Sequence, residues 1–133
     1  MRYAVAYLVT VVVFLGLDFV WLTQIALGMY RRELGNLLLD QPNLLIAGAF
    51  YLLFVAGIVI LAVAPALNGG SWVNALLLGA VLGLVAYGTY DITNLSTLKG
   101  WSTTVALADI AWGTVLSGVA ATAGYLAVTW LKL

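Results

Sequence analysis

The chain contains no cysteine and no histidine, and only ten of its 133 residues are charged, five Lys+Arg and five Asp+Glu. Without cysteine there is no disulfide, no thiol nucleophile and no thiolate metal site. Without histidine there is no imidazole-ligated zinc, copper or haem, and no Ser-His or Cys-His nucleophile pair. The two lysines, Lys99 and Lys132, lie outside the hydrophobic runs, so a Schiff-base lysine inside a membrane is not expected. Charged residues make up 8% of the chain, against about 25% in soluble domains. That is too few to cover a soluble surface of this size without a large exposed apolar patch. The formal net charge of zero excludes a basic nucleic-acid binder, so no nucleic-acid partner is expected. What remains for chemistry is carboxylates, tyrosines, amides, hydroxyls, indoles and a few cations. Neither a metal nor a cofactor is expected.

What the chain does have is apolar length. Hydrophobic residues make up 65% of it and its mean hydropathy is +1.13. A hydrocarbon core of about 30 Å is crossed by roughly 20 apolar helical residues. The stretch Gln41 to Tyr90 is free of charge and is interrupted once, at Pro65-Ala66-Leu67-Asn68-Gly69-Gly70-Ser71. Pro, Asn and a Gly pair favour a turn, so two spans joined by a tight hairpin are expected there. The runs are continuous and far longer than barrel strands. The sequence therefore predicts an all-α integral membrane four-helix bundle, one domain over residues 1–133, with spans at about 3–28, 43–65, 72–95 and 102–131. Asp40 with Pro42 is the expected start of the second span and Ser71 the cap of the third. In the first loop, Tyr30, Leu34, Leu37 and Leu38 share a helical face with Arg31, Arg32 and Glu33 between them, which predicts a short interfacial helix. The N-terminal run is too long for a signal peptide and contains Asp18, so it reads as a retained span. Flanking cations divide two against three between the sides and set no orientation.

Helix direction gathers the acids. Asp18 falls late in the first span, Asp91 late in the third and Asp109 early in the fourth, so all three carboxyls lie in one leaflet. At 1.5 Å per residue, Asp18 is about 10 Å below that surface, and Tyr51 of the second span comes to a similar depth. A charged carboxylate at a helix centre costs about 2.5–3.5 kcal/mol, so Asp18 needs a proton, a hydrogen-bond donor, a wet cavity or a cation. Tyr87, Tyr90, Asp91 and Asn94 follow the i, i+3, i+4, i+7 pattern, and the same face runs back through Gly83 and Gly79. The fourth span offers Asp109, Gly113, Ser117, Ala120 and Gly124. Two such small-residue faces are expected to pack together.

Asp18-Phe19-Val20-Trp21-Leu22-Thr23 and Asp109-Ile110-Ala111-Trp112-Gly113-Thr114 share the pattern Asp-x-x-Trp-x-Thr. In antiparallel helices, Trp21 and Trp112 can each donate an indole N–H to the other helix's carboxyl. The candidate site is therefore Asp18, Trp21, Tyr51, Tyr87, Tyr90, Asp91, Asn94, Asp109 and Trp112, with Arg31, Arg32 and Lys99 as candidate headgroup contacts. For each acid a purely structural role stands beside the functional one.

Further blocks accompany these: Tyr30 through Leu34-Gly35, Phe50-Tyr51-Leu52-Leu53, Pro65-Ala66-Leu67, Thr89-Tyr90-Asp91-x-Thr93-Asn94-Leu95 and Lys99-Gly100-Trp101. Together with the two Asp-x-x-Trp segments, they resemble a bacterial integral membrane family catalogued only as a domain of unknown function. The resemblance runs from about Tyr3 to Gly124 and implies a four-span protein of the bacterial inner membrane, with no catalytic roles to transfer. Ala64 stands where a basic residue is expected in relatives.

Three functions fit these residues. One is a small-solute or ion-coupled carrier, or a lipid-binding membrane protein, using the titratable cluster. Four helices of this length enclose little volume, so a homodimer is a possible partner arrangement, and membrane lipids are the other expected partners. A second is a membrane-embedded enzyme acting on a lipid or isoprenoid headgroup, with carboxyls as acid and base or holding Mg²⁺, although a compact Asp-x-x-Asp pattern is absent. A third is a non-catalytic subunit or scaffold.

Overall fold

Apolar residues on every side of a helix leave the backbone no partner but itself in hydrocarbon, and a helix satisfies all of it internally. The computed structural model describes residues 1–133, and it consists of four long apolar helices with short connections and no strand. The first span is α1 (Arg2–Trp21), a π turn (Leu22–Ala26), α2 (Leu27–Leu34) and a closing 3₁₀ turn (Gly35–Leu37). The second is α3 (Leu44–Ile58), a π turn (Val59–Val63) and α4 (Ala64–Leu67). The third is α5 (Trp72–Thr97) and the fourth α6 (Thr103–Trp130).

The all-α bundle expected from the sequence is observed. Two local expectations are corrected. The segment after Gly28 is not a separate interfacial helix: it continues the first span without a break, for 36 residues in all. That is about 54 Å of helix, well beyond a core of about 30 Å, so the far end of this span projects past the hydrocarbon. Its α-helical part ends at Leu34, capped by Gly35, whose φ of +44° few side chains tolerate, and the 3₁₀ turn closes it. The cap of the second span is Asn43, whose side chain accepts from the Ile46 N–H at 3.1 Å, and not Asp40 with Pro42. Ser71 does begin the third span, with the Asn74 side chain accepting from its N–H at 2.8 Å. The Asn68 amide donates to the Tyr3 hydroxyl at 2.9 Å, tying the hairpin to the start of the first span.

The fourth span is the axis of the bundle. Half of its central stretch is buried inside the protein, against about a fifth or less of the others. One side of it receives α5, where Gly79 and Gly83 lie against Ser117, Ala121 and Gly113. Its Gly113 in turn sits under the Tyr87 ring. Gly124, grouped with that face in the sequence, instead meets Thr10 of the first span. The lower half of the second span closes the core through Val55, Ile58, Val59, Ala62, Val63 and Ala66, all buried, around Phe14. Its upper half does not pack: Leu44, Leu45, Ile46, Phe50 and Leu53 are all at least 60% exposed, and face lipid.

Several threonine hydroxyls inside the spans are satisfied locally, while the buried Ser117 Oγ has no partner. Thr10, Thr89 and Thr114 donate to the carbonyl four residues back, at 2.6, 2.6 and 2.8 Å, which lets threonine enter hydrocarbon without an unpaired donor.

Two tests follow from this packing. Gly113→Ala places a methyl group inside the Tyr87 ring and is expected to cost about 1–3 kcal/mol, read as a lower thermal unfolding midpoint in detergent. Gly88→Ala, with open space around it, is expected to leave the midpoint unchanged. In this cysteine-free chain, Leu37→Cys is expected to react with a membrane-impermeant maleimide and Val12→Cys to resist it. Equal labelling would contradict the projecting first span.

Candidate functional site

The splayed upper half of the second span leaves a cavity of about 540 Å³ against the first and third spans. Asp18, Trp21, Leu22 and Tyr30 of the first span line it. The second span contributes Phe50, Tyr51 and Phe54, and the third Ala86, Tyr87, Thr89 and Tyr90. Asp109 of the fourth span completes the lining. Phe50, Leu22 and Tyr90 are exposed at the mouth, at 60%, 39% and 56%, so the opening faces sideways, toward lipid. Phe14 packs beneath it, 5.8 Å from the Tyr51 ring and 5.7 Å from that of Phe54.

The two acids of the cavity wall are held by aromatic donors. Trp112 Nε1 donates to Asp18 Oδ1 at 3.0 Å, which is half of the cross-pairing expected from the two Asp-x-x-Trp segments. The reciprocal bond is missing. Trp21 instead stacks on Trp112, with ring centroids 4.9 Å apart and planes 8° from parallel, and its buried Nε1 has no acceptor. The donor at Asp109 is the Tyr30 hydroxyl, 3.1 Å from Oδ1. Glu33 accepts from Ser102 Oγ at 3.0 Å one turn further on, and Met29 and Leu34 pack against Val105. The projecting end of the first span is thus fastened across the start of the fourth, over the acids.

Asp91 stands behind this wall. It is fully buried, and neither of its carboxyl oxygens has a hydrogen-bond partner. The packing register of the third and fourth spans, Gly83 against Ser117 and Tyr87 against Gly113, sets it level with Asp109.

Of the residues singled out in the sequence, Asp18, Trp21, Tyr51, Tyr87, Tyr90 and Asp109 line the cavity. Asp91 and Trp112 support it from behind. Asn94 is half-buried and outside it, and Arg31, Arg32 and Lys99 are exposed and outside it. Tyr30, Phe50 and Phe54 were not among the candidates. Their common signal is an aromatic at helical spacing facing the acids, and for Tyr30 a π turn hides it: twelve residues beyond Asp18 it would point about 120° away in a regular helix. The extra residue of the π turn brings it back to within about 20° of the Asp18 face.

Residues 3–126 match the family described as Predicted membrane protein (DUF2177). The chain belongs to this family. No curated protein and no solved structure matches it. In this DUF2177 protein, then, the site is defined by its own geometry: a lipid-facing cavity with two carboxyls on its inner wall and a third behind them.

A double-mutant cycle on Asp18→Asn and Trp112→Phe, scored by thermal unfolding in detergent, is expected to show coupling of about 0.5–2 kcal/mol. Pairing Asp109→Asn with Trp112→Phe is expected to give additive effects. Coupling as large in the second cycle as in the first would contradict the assignment of the indole to Asp18.

Proposed function

We propose that this multi-pass membrane protein sits in the bacterial cytoplasmic membrane and binds an amphiphilic molecule drawn laterally from the bilayer. The observation that carries this reading is the placement of the cavity. Its mouth opens between spans, on the lipid face, while its polar groups lie on the inner wall. A water-soluble solute would have to reach the carboxyls past the Tyr30–Asp109 bond and the packed end of the first span. An amphiphile enters sideways, leaves its apolar part among Phe50, Phe54 and the tails outside, and brings its head to Asp18 and Asp109. The size agrees with this, since ligand sites of about 300–1,000 Å³ are typical of small molecules.

A carrier is the second reading, favoured by the π turn at Val59–Val63. It joins the packed and unpacked halves of the second span, and π turns inside helices recur at functional sites. Movement there would widen or close the mouth without disturbing the core below.

Filling the cavity tests the proposal without removing a polar group. Native mass spectrometry of the protein in maltoside detergent is expected to show a bound species of lipid mass. Ala86→Trp, which puts an indole into the cavity, is expected to lose most of it while keeping the wild-type unfolding midpoint. The same bound fraction in both proteins would contradict an amphiphile at this site.

A further inference from the structure

We propose that the head of the bound amphiphile is an organic cation, an amine or quaternary ammonium on an apolar body. This rests on the amphiphile reading above and names its ligand class. Asp18 and Asp109 each receive one hydrogen bond, which leaves one oxygen of each carboxyl without a protein donor. No Arg or Lys lines the cavity. Asp91, fully buried and without a donor, adds a third acid, set level with Asp109 by the packing of the third and fourth spans. Such a negative wall in a hydrocarbon setting is held at lowest cost by a positive partner.

The remaining walls choose the kind of cation. They are aromatic: Trp21, Tyr51, Phe54 and Tyr87 line the cavity beside the acids. Aromatic faces with a carboxylate recognise alkylammonium groups, whose diffuse charge needs no tight shell of oxygens. A small metal ion needs six or more oxygen ligands at short range, and no group of acids here is arranged to hold one. An anionic phosphate head meets two carboxyls and no cationic side chain in this lining. The head can belong to a bilayer lipid with an amine headgroup or to a free lipophilic amine, and the chemistry of recognition is the same.

The test uses four probes with the intact chain in dodecyl maltoside micelles, whose heads are uncharged. Dodecyltrimethylammonium, dodecanol and dodecyl phosphate share one tail and differ in head charge, and their affinities are read from tryptophan emission. The ammonium is expected to bind at least about tenfold more tightly than the other two. Asp18→Asn and Asp109→Asn are each expected to lose about that advantage, read as the ratio of ammonium to dodecanol affinity. Equal affinity for the three heads would overturn the cation assignment and leave the amphiphile site standing. Binding of none would overturn both. The comparison among heads is made on the wild-type protein, so it does not depend on the variants folding. Phosphatidylethanolamine, the fourth probe, separates the sources. Displacement of the ammonium by it supports a lipid amine as the occupant, and lack of displacement beside tight ammonium binding supports a free amine.

Discussion

The close approach of the third and fourth spans sets the geometry of everything above it. Gly79 and Gly83 lie against the backbone and small side chains of the fourth span, and Gly113 accepts the Tyr87 ring. Only glycine lets two helices meet at this distance, and a meeting so tight has one register. That register places Asp91 level with Asp109 and brings Tyr87 to the cavity wall. The fourth span is then clasped from its other side by the first, through Thr10 and Gly124 below and Glu33 and Ser102 above. Asp18 reaches Trp112 because both helices are already fixed to the same axis.

Much of this was legible in the sequence because hydrocarbon permits so few solutions. Long apolar runs, a Pro-Asn-Gly-Gly hairpin and the small-residue faces of the third and fourth spans led to four helices with three acids in one leaflet. The departures have a common cause. Sequence periodicity assumes 3.6 residues per turn, and two spans each contain a π turn. In the first span this rotates Tyr30 onto the acid face and joins the supposed interfacial helix to the span itself. The indole pairing was half right for a related reason. The two indoles stack on each other, which leaves the Trp112 N–H at Asp18, the Trp21 N–H without an acceptor and Asp109 to a tyrosine. Phe50 and Phe54 were missed because apolar residues in a wholly apolar helix carry no contrast that marks a face.

The acids differ in how far the protein answers their charge. Asp18 and Asp109 each have a neutral donor, an indole and a phenol. Such donors orient a carboxyl through one oxygen and leave the other without a donor. Asp91 has none. The result is a graded site, with partly satisfied groups at the surface of the cavity and an unsatisfied one enclosed behind them. A scaffold of purely structural acids would close each with a partner and leave no space in front of them, and here there are about 540 Å³.

The second span is fastened at one end only. Its lower half belongs to the core, while Leu44 through Leu53 touch lipid on most sides. Lipid tails and leucine side chains are equally apolar, so moving this segment exchanges like contacts for like. Its position therefore answers to the bilayer more than to the protein. For an occupant that enters between the spans, lateral pressure and chain packing in that leaflet would bear on the width of the mouth, and membrane composition on access to the acids.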